Sequence, residues 1–504
     1  MNFEKKLLKY SHYLDEINKK AYKNVYLLSN PTLSKNPYTK TRFLQNLLEE
    51  KKEYNSFIKA SILFYVKNIL LFGTFFVLFV YAKATAKKKQ KSFQNNELVF
   101  IDSFYGESEL GNGTFKYDEY FAKLYEYMNK KGIEYLIAPK LYGFKNPLKY
   151  IKFLRIVEKS SQNVHVDISM LSLSDVFSII AFILHYPLHV WKLRNSVKEE
   201  STIDTLFRED LAYSLSGTDF YPFVRYLYAK QLGKMYASHE IKVISWCEYQ
   251  VNEKNFFKGL RETHNDVHIY ATQFLFKFPS YVALYIPESD KALSIAPDTI
   301  LVTGKYYVPE QSVYKYKVGP AFRYEKLYST PYVLHPENTN IVVMLPYVQE
   351  DAFHVIELLK TSKQFVGMSI DFKIHPDFAG EKENYEKNLA PTWKIIDIYP
   401  DLEQYGFVIS SGSGSVMELA CVGMSVLMIA SKGAFTTNPM PREGQDENWS
   451  LIATTKELEE SYKKLILIRK EKPEQFKNNV HFYRENFLSE VSDEKIKEHF
   501  NFEH

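Results

Sequence analysis

Short apolar runs that alternate with helical segments are the feature of this sequence that most limits its fold. In the second half of the chain these runs have the length of single strands. Such alternation is typical of βαβ units, in which buried strands pair in parallel, so we expect an α/β domain here. The predicted strands are Ile341–Leu345, Ser369–Ile374, Lys394–Ile398, Gly406–Ser410 and Ser425–Ala430. The predicted helices are Gln349–Lys363, Ala379–Asn388, Ser415–Val422 and a region from Lys456 to about His499.

The first half carries a second series of strand candidates. Leu98–Asp102 is an apolar run that ends in a glycine-bearing loop, and the helical pattern Tyr117–Lys131 leads to another run, Ile133–Ala138. This order predicts a βαβ unit at the start of a first α/β domain. Further strands are predicted at Ile241–Trp246, Val267–Ala271 and Thr299–Thr303.

Prolines and glycines between residues 305 and 340 predict the boundary between the two domains. We therefore expect a first domain at 96–320 and a second at 321–504. Residues 1–95 have helical periodicity without a strand-and-turn signal, and they are predicted to form a helical extension outside the reaction centre.

Length and composition exclude several classes of protein. A chain of 504 residues exceeds one ordinary core, and 45% hydrophobic residues are typical of a globular protein. A net charge of +4, with lysines spread among glutamates, argues against a dedicated nucleic-acid binder. The two cysteines have no metal-binding spacing, which favours a reducing compartment, and Met1–Lys20 is too charged for a secretory signal. The cytoplasm is the expected location.

Two apolar stretches favour contact with a membrane. Phe57–Ala82 is interrupted near its middle by Lys67 and Asn68, and a basic run from Lys87 to Lys91 follows it. We rank a helix on or partly in the membrane surface first, a buried core helix second and a full span third. Val176–Trp191 is less typical of a span, but the two stretches together are expected to form a membrane-facing side.

A loop of small residues gives the strongest local indication of a ligand. It follows the predicted strand Gly406–Ser410 and precedes a predicted helix, and its residues are Ser411, Gly412, Ser413, Gly414 and Ser415. Glycines let the backbone approach a ligand, hydroxyls donate hydrogen bonds, and a helix start favours phosphate. The loop is therefore predicted to hold a phosphate, with a helix cap that binds nothing as the alternative. Its spacing matches neither the Walker lysine motif nor the dinucleotide fingerprint.

A second candidate segment follows another strand of the same predicted sheet. Lys373, His375 and Pro376 stand at its carboxyl end, the edge where open α/β sheets collect their ligands. His375 could donate to a phosphate oxygen from a turn fixed by Pro376, although such a histidine alone is more often a plain turn residue. Glu418 could hold ribose hydroxyls, or it could be a capping or exposed glutamate.

The corresponding edge of the first domain offers candidates for catalysis. Glu248 is predicted to be a general base on an acceptor hydroxyl, with Trp246 stacking on a sugar and Gln250 bonding its hydroxyls. Asp102 is the competing base, and Glu107 and Glu109 follow it in the loop. The alternative is that these are solvated loop carboxylates.

Other catalytic patterns are missing from the sequence. It contains no Gly-x-Ser-x-Gly elbow, no His-Glu-x-x-His helix and no Asp-x-Asp clamp for a divalent metal. We therefore expect chemistry without a metal or a cofactor.

These residues resemble bacterial glycosyltransferases of the two-domain GT-B architecture, found in capsule, lipopolysaccharide and O-antigen gene clusters. The similarity covers roughly residues 97–470. Its most specific pieces are Trp246–Gln250 with Lys254 and Gly259–Arg261, Ala296–Asp298 with Gly304–Lys305, and Val318–Tyr324. The resemblance implies two Rossmann-like domains that face a cleft.

The His-Pro pair and the serine loop are similar to motifs of transferases that use CMP-activated acidic sugars, such as sialic acid or Kdo. In those families the histidine and the serines contact the CMP phosphate. The similarity implies the same role for His375, Ser411, Ser413 and Ser415.

The resemblance implies a nucleotide-sugar donor on the second domain and a glycan or lipid-linked glycan acceptor on the first. The leaving phosphate would be stabilised by Lys373, His375 and the serine loop while a carboxylate deprotonates the acceptor hydroxyl. The expected place of action is the inner face of the cell membrane. Two rivals stay open: a polyol-phosphate transferase of the teichoic-acid type, and a non-catalytic glycan-assembly protein on the same fold.

Overall fold

The computed structural model describes most of the chain. The described residues are 3–36, 56–85, 93, 95–106, 115–118, 120–142, 144, 146–278, 281–330, 332, 335–399, 403–432 and 436–502. The basic run Lys87–Lys91 and the loop carboxylates Glu107 and Glu109 lie outside them.

Two parallel sheets, one in each half of the chain, confirm the predicted α/β class. The first half contains β1 (Glu97–Asp102), β2 (Phe104–Tyr105), β3 (Tyr135–Ile137), β4 (Lys140–Leu141), β5 (Glu240–Trp246), β6 (Val267–Gln273), β7 (Thr299–Val302) and β8 (Lys315–Val318). The second half contains β9 (Ile341–Met344), β10 (Ile370–Lys373), β11 (Trp393–Ile395), β12 (Phe407–Ser410), β13 (Ser425–Ile429) and β14 (Trp449–Ile452). The central strands are buried along almost their whole length, as expected when helices cover both faces of a sheet.

Helices cover both sheets. In the first half they are α1 (Phe3–Ala21), α2 (Phe57–Thr85), α3 (Ala122–Lys131), α4 (Pro147–Lys159), α5 (Asp167–Met170), α6 (Leu173–Ser196), α7 (Thr202–Gly217), α8 (Tyr221–Met235), α9 (Val251–Arg261) and α10 (Ser289–Ala292). In the second half they are α11 (Glu325–Ser329), α12 (Gln349–Lys360), α13 (Lys363–Val366), α14 (Lys382–Glu386), α15 (Ser415–Ala420), α16 (Thr455–Glu471), α17 (Pro473–Phe487) and α18 (Asp493–Phe500).

The strand orders locate the two places where ligands of such sheets bind. The second sheet has the order β11-β10-β9-β12-β13-β14, which reverses direction between β9 and β12. The first sheet has the order β3-β1-β5-β6-β7-β8, with its reversal between β1 and β5. In open parallel sheets the crevice outside the carboxyl ends of the strands at this reversal is the usual ligand site. The serine loop follows β12, and Glu248 follows β5.

The amino-terminal helices are built into the first domain. Leu7, Tyr10 and Leu14 of α1 belong to the same hydrophobic cluster as the interior of the first sheet. The Tyr10 hydroxyl also donates to Asp210 of α7 at 3.1 Å. Phe3–Ala21 and Phe57–Thr85 are helices, and both share the core of the first domain instead of standing apart as an extension.

Helices α2 and α6 are long and apolar enough to cross a membrane by length and composition, with mean hydropathies of 2.0 and 1.5 over their most apolar windows. The polar residues in the middle of α2 face protein. Asn68 is buried and donates to the carbonyl of Thr218 at 3.1 Å, and the Lys67 amine donates to the carbonyl of Gly217. The opposite side of α2 is exposed.

The carboxyl-terminal helix α18 returns to the first domain. Ile496, Phe500 and Phe502 are buried in a cluster with Val99 and Ile101 of β1. Residues 493–502, predicted as part of the second domain, therefore complete the core of the first. Within the described residues, no strand lies between β8 and β9.

Candidate active site

The serine loop lies at the reversal point of the second sheet. Ser410 ends β12, and its hydroxyl donates to the carbonyl of Met344 at the end of β9. Ser411 is also buried, but its hydroxyl has no hydrogen-bond partner in the described part of the chain. Gly412 has φ +61°, and a Cβ there would meet the Thr437 hydroxyl at 2.7 Å. The loop therefore combines a glycine-only bend with one unsatisfied buried hydroxyl.

The rest of the loop is partly exposed at its helix start. The Ser413 hydroxyl accepts a hydrogen bond from the Ser415 backbone at 3.3 Å. Helix α15 spans only Ser415–Ala420, so the dipole contribution expected from the sequence is small. Gly414 faces the first domain, because a Cβ there would lie 3.9 Å from the ring of Phe278. The loop thus borders the space between the two domains.

His375 presents one ring nitrogen that can donate. Its Nδ1 accepts from the backbone N–H of Asp377 at 3.3 Å, which leaves the proton of the neutral ring on Nε2. Burial lowers the pKa of His375, against the opposing charge of Asp377, so the neutral ring is favoured at neutral pH. The ring of Tyr347 stands edge-on to it at 5.3 Å. His375 is therefore suited to donate a hydrogen bond to an oxygen ligand.

The two neighbours of His375 have structural partners. Pro376 begins a short 3₁₀ helix, Pro376–Glu381, that His375 caps. The Lys373 amine donates to the carbonyl of Asp397 at 2.6 Å, across the adjacent strand end. The Lys373 ammonium has two further N–H donors, so this bond orients the amine without excluding a contact with a phosphate.

Glu418 belongs to a polar cluster at the start of the second domain. Its carboxylate accepts from the Tyr399 hydroxyl at 3.0 Å. Burial raises the pKa of Glu418, while the charge of Arg323 and the bond from Tyr399 oppose the rise. Tyr324, Glu418, Tyr120 and Glu248 together raise the pKa of Arg323, against the effect of burial. Arg323 is thus electrostatically linked to one carboxylate in each domain.

Glu248 is the free carboxylate at the reversal point of the first sheet. Its side chain reaches solvent but is closely surrounded by protein, as on the floor of a cleft. This desolvation and the like charge of Glu253 raise its pKa, and a hydrogen bond from the Trp246 side chain opposes the rise. Tyr281, from the loop after β6, also lies within its electrostatic reach. A carboxyl of raised pKa in a cleft is suited to act as a general base.

The backbone beside Glu248 is strained. Tyr249 has φ +56°, a left-handed conformation that is rare for a bulky residue. Its ring is buried, and its hydroxyl donates to Asp290 at 2.7 Å. This turn leaves Glu248 exposed between two buried residues, Cys247 and Tyr249.

Asp102, the competing base, is a buried counter-ion. One oxygen pairs with Arg225 at 2.6 Å, and the other accepts from Ser245 at 2.6 Å and lies 3.3 Å from the Lys140 amine. Lys140 pairs in turn with Glu253 at 2.7 Å. Burial disfavours the charge of Lys140, but Asp102 and Glu253 outweigh it and raise its pKa. Because both oxygens of Asp102 are engaged, the structure assigns it to holding this sheet edge together and leaves Glu248 as the base candidate.

Trp246 and Gln250 also differ from their predicted roles as sugar contacts. Trp246 is only 2% exposed, and its ring packs on Tyr120 at 4.3 Å, so it has no free face for a sugar. Gln250 caps α9 through a reciprocal pair of hydrogen bonds with Glu253, and its side chain accepts from Ser34 at 3.3 Å. Trp246 acts on the site by donating a hydrogen bond to Glu248. Gln250 acts on it by fixing the start of α9.

Sequence analysis did not single out three of the residues that line this space. Arg323 falls within the segment Val318–Tyr324 that carries the family resemblance, but nothing in that segment indicates its partners. Tyr399 and Phe278 carry no local signal. All three meet Glu248, Glu418 or the serine loop through contacts between distant parts of the chain. Among the described residues, no group of three or more His, Cys, Asp or Glu side chains is arranged to hold a metal ion.

The chain matches no protein-family model and no curated protein sequence. It is similar to several solved structures. The UDP-GlcNAc 2-epimerase from Neisseria meningitidis bound to UDP-GlcNAc matches over 81% of this chain and 100% of that chain, at 10% identity and a TM-score of 0.44. The glycosyltransferase VinC in complex with DTDP matches over 80% of this chain and 98% of that chain, at 10% identity and a TM-score of 0.39. The wall teichoic acid polymerase TagF matches over 88% of this chain and 95% of that chain, at 13% identity and a TM-score of 0.35.

These likenesses concern overall architecture. The chain itself has two Rossmann-like domains, each built on a six-stranded parallel sheet, which is the GT-B-like fold class that the sequence predicts.

Proposed function

We propose that this protein is a glycosyltransferase that moves a sugar from a nucleotide-sugar donor to a glycan or lipid-linked glycan acceptor in surface polysaccharide synthesis. The donor would occupy the reversal point of the second sheet, and the acceptor that of the first. A CMP-activated donor is favoured, because the His375-Pro376 pair and the serine loop resemble the motifs of CMP-sugar transferases.

One observation carries the proposal. Arg323 lies at the junction of the domains within electrostatic reach of both Glu248 and Glu418, one on each side. A base candidate and a nucleotide-binding candidate are therefore joined by a cation at the place where a leaving phosphate would develop charge. A Cβ on Gly414 would lie 3.9 Å from the Phe278 ring, which supports the same closeness of the two edges.

The residues suggest a direct displacement. Glu248 would take the proton from the acceptor hydroxyl as that oxygen attacks the sugar carbon. The bond from that carbon to the leaving phosphate breaks, and the phosphate keeps the electron pair. The Nε2–H of His375, the Ser411 hydroxyl and Arg323 would stabilise the charge, which is the role of preorganised donors in such reactions.

Nucleotide binding tests the donor site. Calorimetric titration of the full chain with CMP, CDP, UDP and GDP should show selective binding, with CMP favoured. His375→Ala should weaken the affinity by about tenfold or more, because a charge-assisted hydrogen bond is lost. His481→Ala is the matched control, since His481 is exposed on α17 and pairs with Glu485 one turn away. If no nucleotide binds, the donor site does not exist.

Titrations with a CDP-polyol and with nucleotide sugars, together with an assay for product, separate the two rivals. Preference for a CDP-polyol over nucleotide sugars would identify a polyol-phosphate transferase. Binding of a nucleotide sugar without product formation, and without any effect of Glu248→Gln, would identify a non-catalytic assembly protein.

We also propose that the exposed side of α2 and α6 lies on the inner surface of the cell membrane. The two helices are joined by a hydrogen bond from Tyr65 to the Leu184 carbonyl at 3.1 Å. We call their exposed large apolar residues the apolar face: Ile58, Ile62, Leu63, Val66, Ile69, Leu70, Phe76, Val77 and Val80 of α2, with Leu173, Phe177, Leu184, Leu188 and Trp191 of α6. A contiguous apolar face of this length is typical of membrane-surface helices. The inward bonds of Lys67 and Asn68 favour this arrangement over a span.

Vesicle flotation tests the membrane proposal. The full chain should float with anionic lipid vesicles, and the double variant Leu70→Asp with Val77→Asp should stay in the soluble fraction. Leu467→Asp is the control, because Leu467 is similarly exposed but lies on α16 of the second domain. Equal flotation of the double variant and the native chain would show that the apolar face does not contact lipid.

A further inference from the structure

A buried lysine without an anionic partner stands at the carboxyl edge of the first sheet. Lys277 follows β6 and is only 7% exposed. In the described residues, no carboxylate acts on its amine, and the neighbouring Cys247 thiol carries no charge because burial raises its pKa. Buried lysines are almost always paired, because an isolated charge is costly to remove from water. Lys277 is therefore poorly explained by the packing of the protein alone.

The surroundings of Lys277 supply donors and aromatic rings. Its amine lies 5.7 Å from the ring centre of Tyr307 and 5.7 Å from that of Tyr316. The rings attract the ammonium, but this attraction is weaker than that of an anion at hydrogen-bond distance would be. The Tyr307 hydroxyl is buried beside the Lys277 backbone, and its proton has no acceptor in the described part of the chain. An ammonium and a phenol without acceptors form an incomplete anion site.

The position of Lys277 links this site to the proposed reaction. Cys247, which neighbours Lys277, immediately precedes the base candidate Glu248. Phe278, the residue after Lys277, faces Gly414 of the serine loop. Burial lowers the pKa of Lys277 to about 7, so the amine gains a proton readily when an anion arrives at neutral pH. The ligand of Lys277 would thus lie on the first-domain side of the cleft.

We propose that Lys277, with Tyr307, binds an oxyanion, a phosphate or a carboxylate, carried by the acceptor. The assignment to the acceptor rests on the proposed function. The donor phosphate has its own candidate ligands, His375 and Ser411, on the second sheet. An anionic acceptor would be oriented by Lys277 so that its hydroxyl meets Glu248.

Titration of the full chain with glycerol 3-phosphate, followed by ³¹P NMR, tests the site. The experiment is done on nucleotide-free protein and again with saturating nucleotide. Native protein should bind the phosphate in both states, and Lys277→Met should bind it about tenfold more weakly or worse, because the charge-assisted bond is lost. Lys315→Met makes the same change of charge at the exposed amino end of β8, away from the carboxyl edge of the sheet. This variant should bind the phosphate as tightly as the native chain does. A calorimetric titration with glucuronate shows whether a carboxylate serves equally well.

Either of two binding results would overturn the proposal. Unchanged phosphate affinity in Lys277→Met would show that Lys277 holds no anion. Loss of phosphate binding when nucleotide saturates the protein would assign the anion to the donor. The nucleotide-free titration is independent of the proposed function, so a protein that binds no nucleotide still gives a result for Lys277.

Thermal unfolding separates a binding role from a structural one. Lys277→Met removes no ion pair within the described residues, so it should unfold at the same temperature as the native chain or higher. A lower unfolding temperature would show that Lys277 supports the fold, and the proposal would fail.

Discussion

Two adjacent serines have buried hydroxyls, but among the described residues only one of these hydroxyls makes a hydrogen bond. Ser410 donates to the Met344 carbonyl, whereas Ser411 has no partner among the described residues. A buried hydroxyl without a partner costs stability, so such a group is usually retained for a ligand. This contrast gives the serine loop a test that does not depend on its resemblance to other proteins.

We expect opposite effects from Ser411→Ala and Ser410→Ala. Ser411→Ala should weaken nucleotide binding about tenfold while leaving the free energy of unfolding unchanged or slightly higher, because no internal bond is lost. Ser410→Ala should lower the free energy of unfolding by about 1 kcal/mol through loss of its bond to β9. Calorimetry and urea unfolding measure the two quantities. If Ser411→Ala leaves affinity unchanged, its hydroxyl does not contact the nucleotide.

Glu248 should set the acid limb of the pH profile. A general base works only when ionised, and the pKa of Glu248 is raised by desolvation and by Glu253. Turnover should therefore fall as pH decreases through a value above the ordinary glutamate range, while it is retained at higher pH. Glu248→Gln should lower kcat by about 100-fold or more. Glu288→Gln, an exposed carboxylate in the same domain, is the control, and equal losses in both variants would contradict the assignment.

The sequence predicts the positions of site residues better than their roles. Glu248, His375 and Ser411 follow strands, and strand ends can be read from apolar runs. Roles depend on partners that come from distant segments. Asp102 and Trp246 looked available in the sequence, but ion pairs and aromatic packing occupy them. Arg323 and Lys277 gain their importance only from what surrounds them in the folded chain.

At the level of elements, the strands of the two six-stranded sheets that the sequence does not predict are edge strands, and the separate two-stranded sheet of β2 and β4 is not predicted either. β8 and β14 end the two sheets, and neither forms a long apolar run. β8 reads Lys315-Tyr316-Lys317-Val318, with charged residues at alternate positions. An edge strand has one neighbour and more solvent contact, so its sequence need not be uniformly apolar. The central strands, buried on both faces, were predicted correctly for the same reason.

Helices α8 and α9 cross at glycines. A Cβ on Gly259 of α9 would lie 2.2 Å from the Tyr226 carbonyl of α8. A Cβ on Gly233 of α8 would lie 2.3 Å from the Thr263 hydroxyl, just beyond the end of α9. Because Gln250 caps α9 and Glu248 lies two residues before it, this close crossing fixes the turn that carries Glu248.

Gly259→Ala should destabilise the protein by about 1–3 kcal/mol, because the added methyl group overlaps a backbone oxygen and forces the helices apart. Gly73→Ala is the matched control within a helix. Gly73 has nothing within 4 Å of a built Cβ, so alanine should stabilise α2 by up to about 1 kcal/mol. Urea unfolding measures both. Equal stability of Gly259→Ala and the native chain would mean that the two helices do not cross as closely as described.

At the scale of the whole molecule, the chain passes between the domains twice, and the two passages touch. The Ser489 hydroxyl donates to the carbonyl of Gly319, which lies on the first passage. Arg484 donates to the carbonyls of Tyr328 at 2.6 Å and Thr330 at 3.1 Å, also on the first passage. Two adjacent passages are the kind of connection about which domains can hinge, as the proposed transferase would require in order to close over its donor and acceptor.

Phe500→Ala should destabilise the first domain although Phe500 belongs to the carboxyl-terminal helix. Its ring is fully buried against the first sheet, so truncation should cost about 3–5 kcal/mol. Hydrogen exchange should accelerate in β1 and β6 and change little in β9 and β12. Glu498→Ala, an exposed change on the same helix, is the control. Faster exchange confined to the second domain would contradict this packing.

The return of α18 also determines the order in which the protein can mature. Domains generally fold during synthesis as they leave the ribosome, the amino-terminal one first. Here the cluster around Val99 and Ile101 lacks Ile496, Phe500 and Phe502 until residues 493–502 have been made. The domain that is synthesised first therefore completes its core last, after the second domain has emerged. A newly made first domain would present an open apolar surface to chaperones throughout that interval.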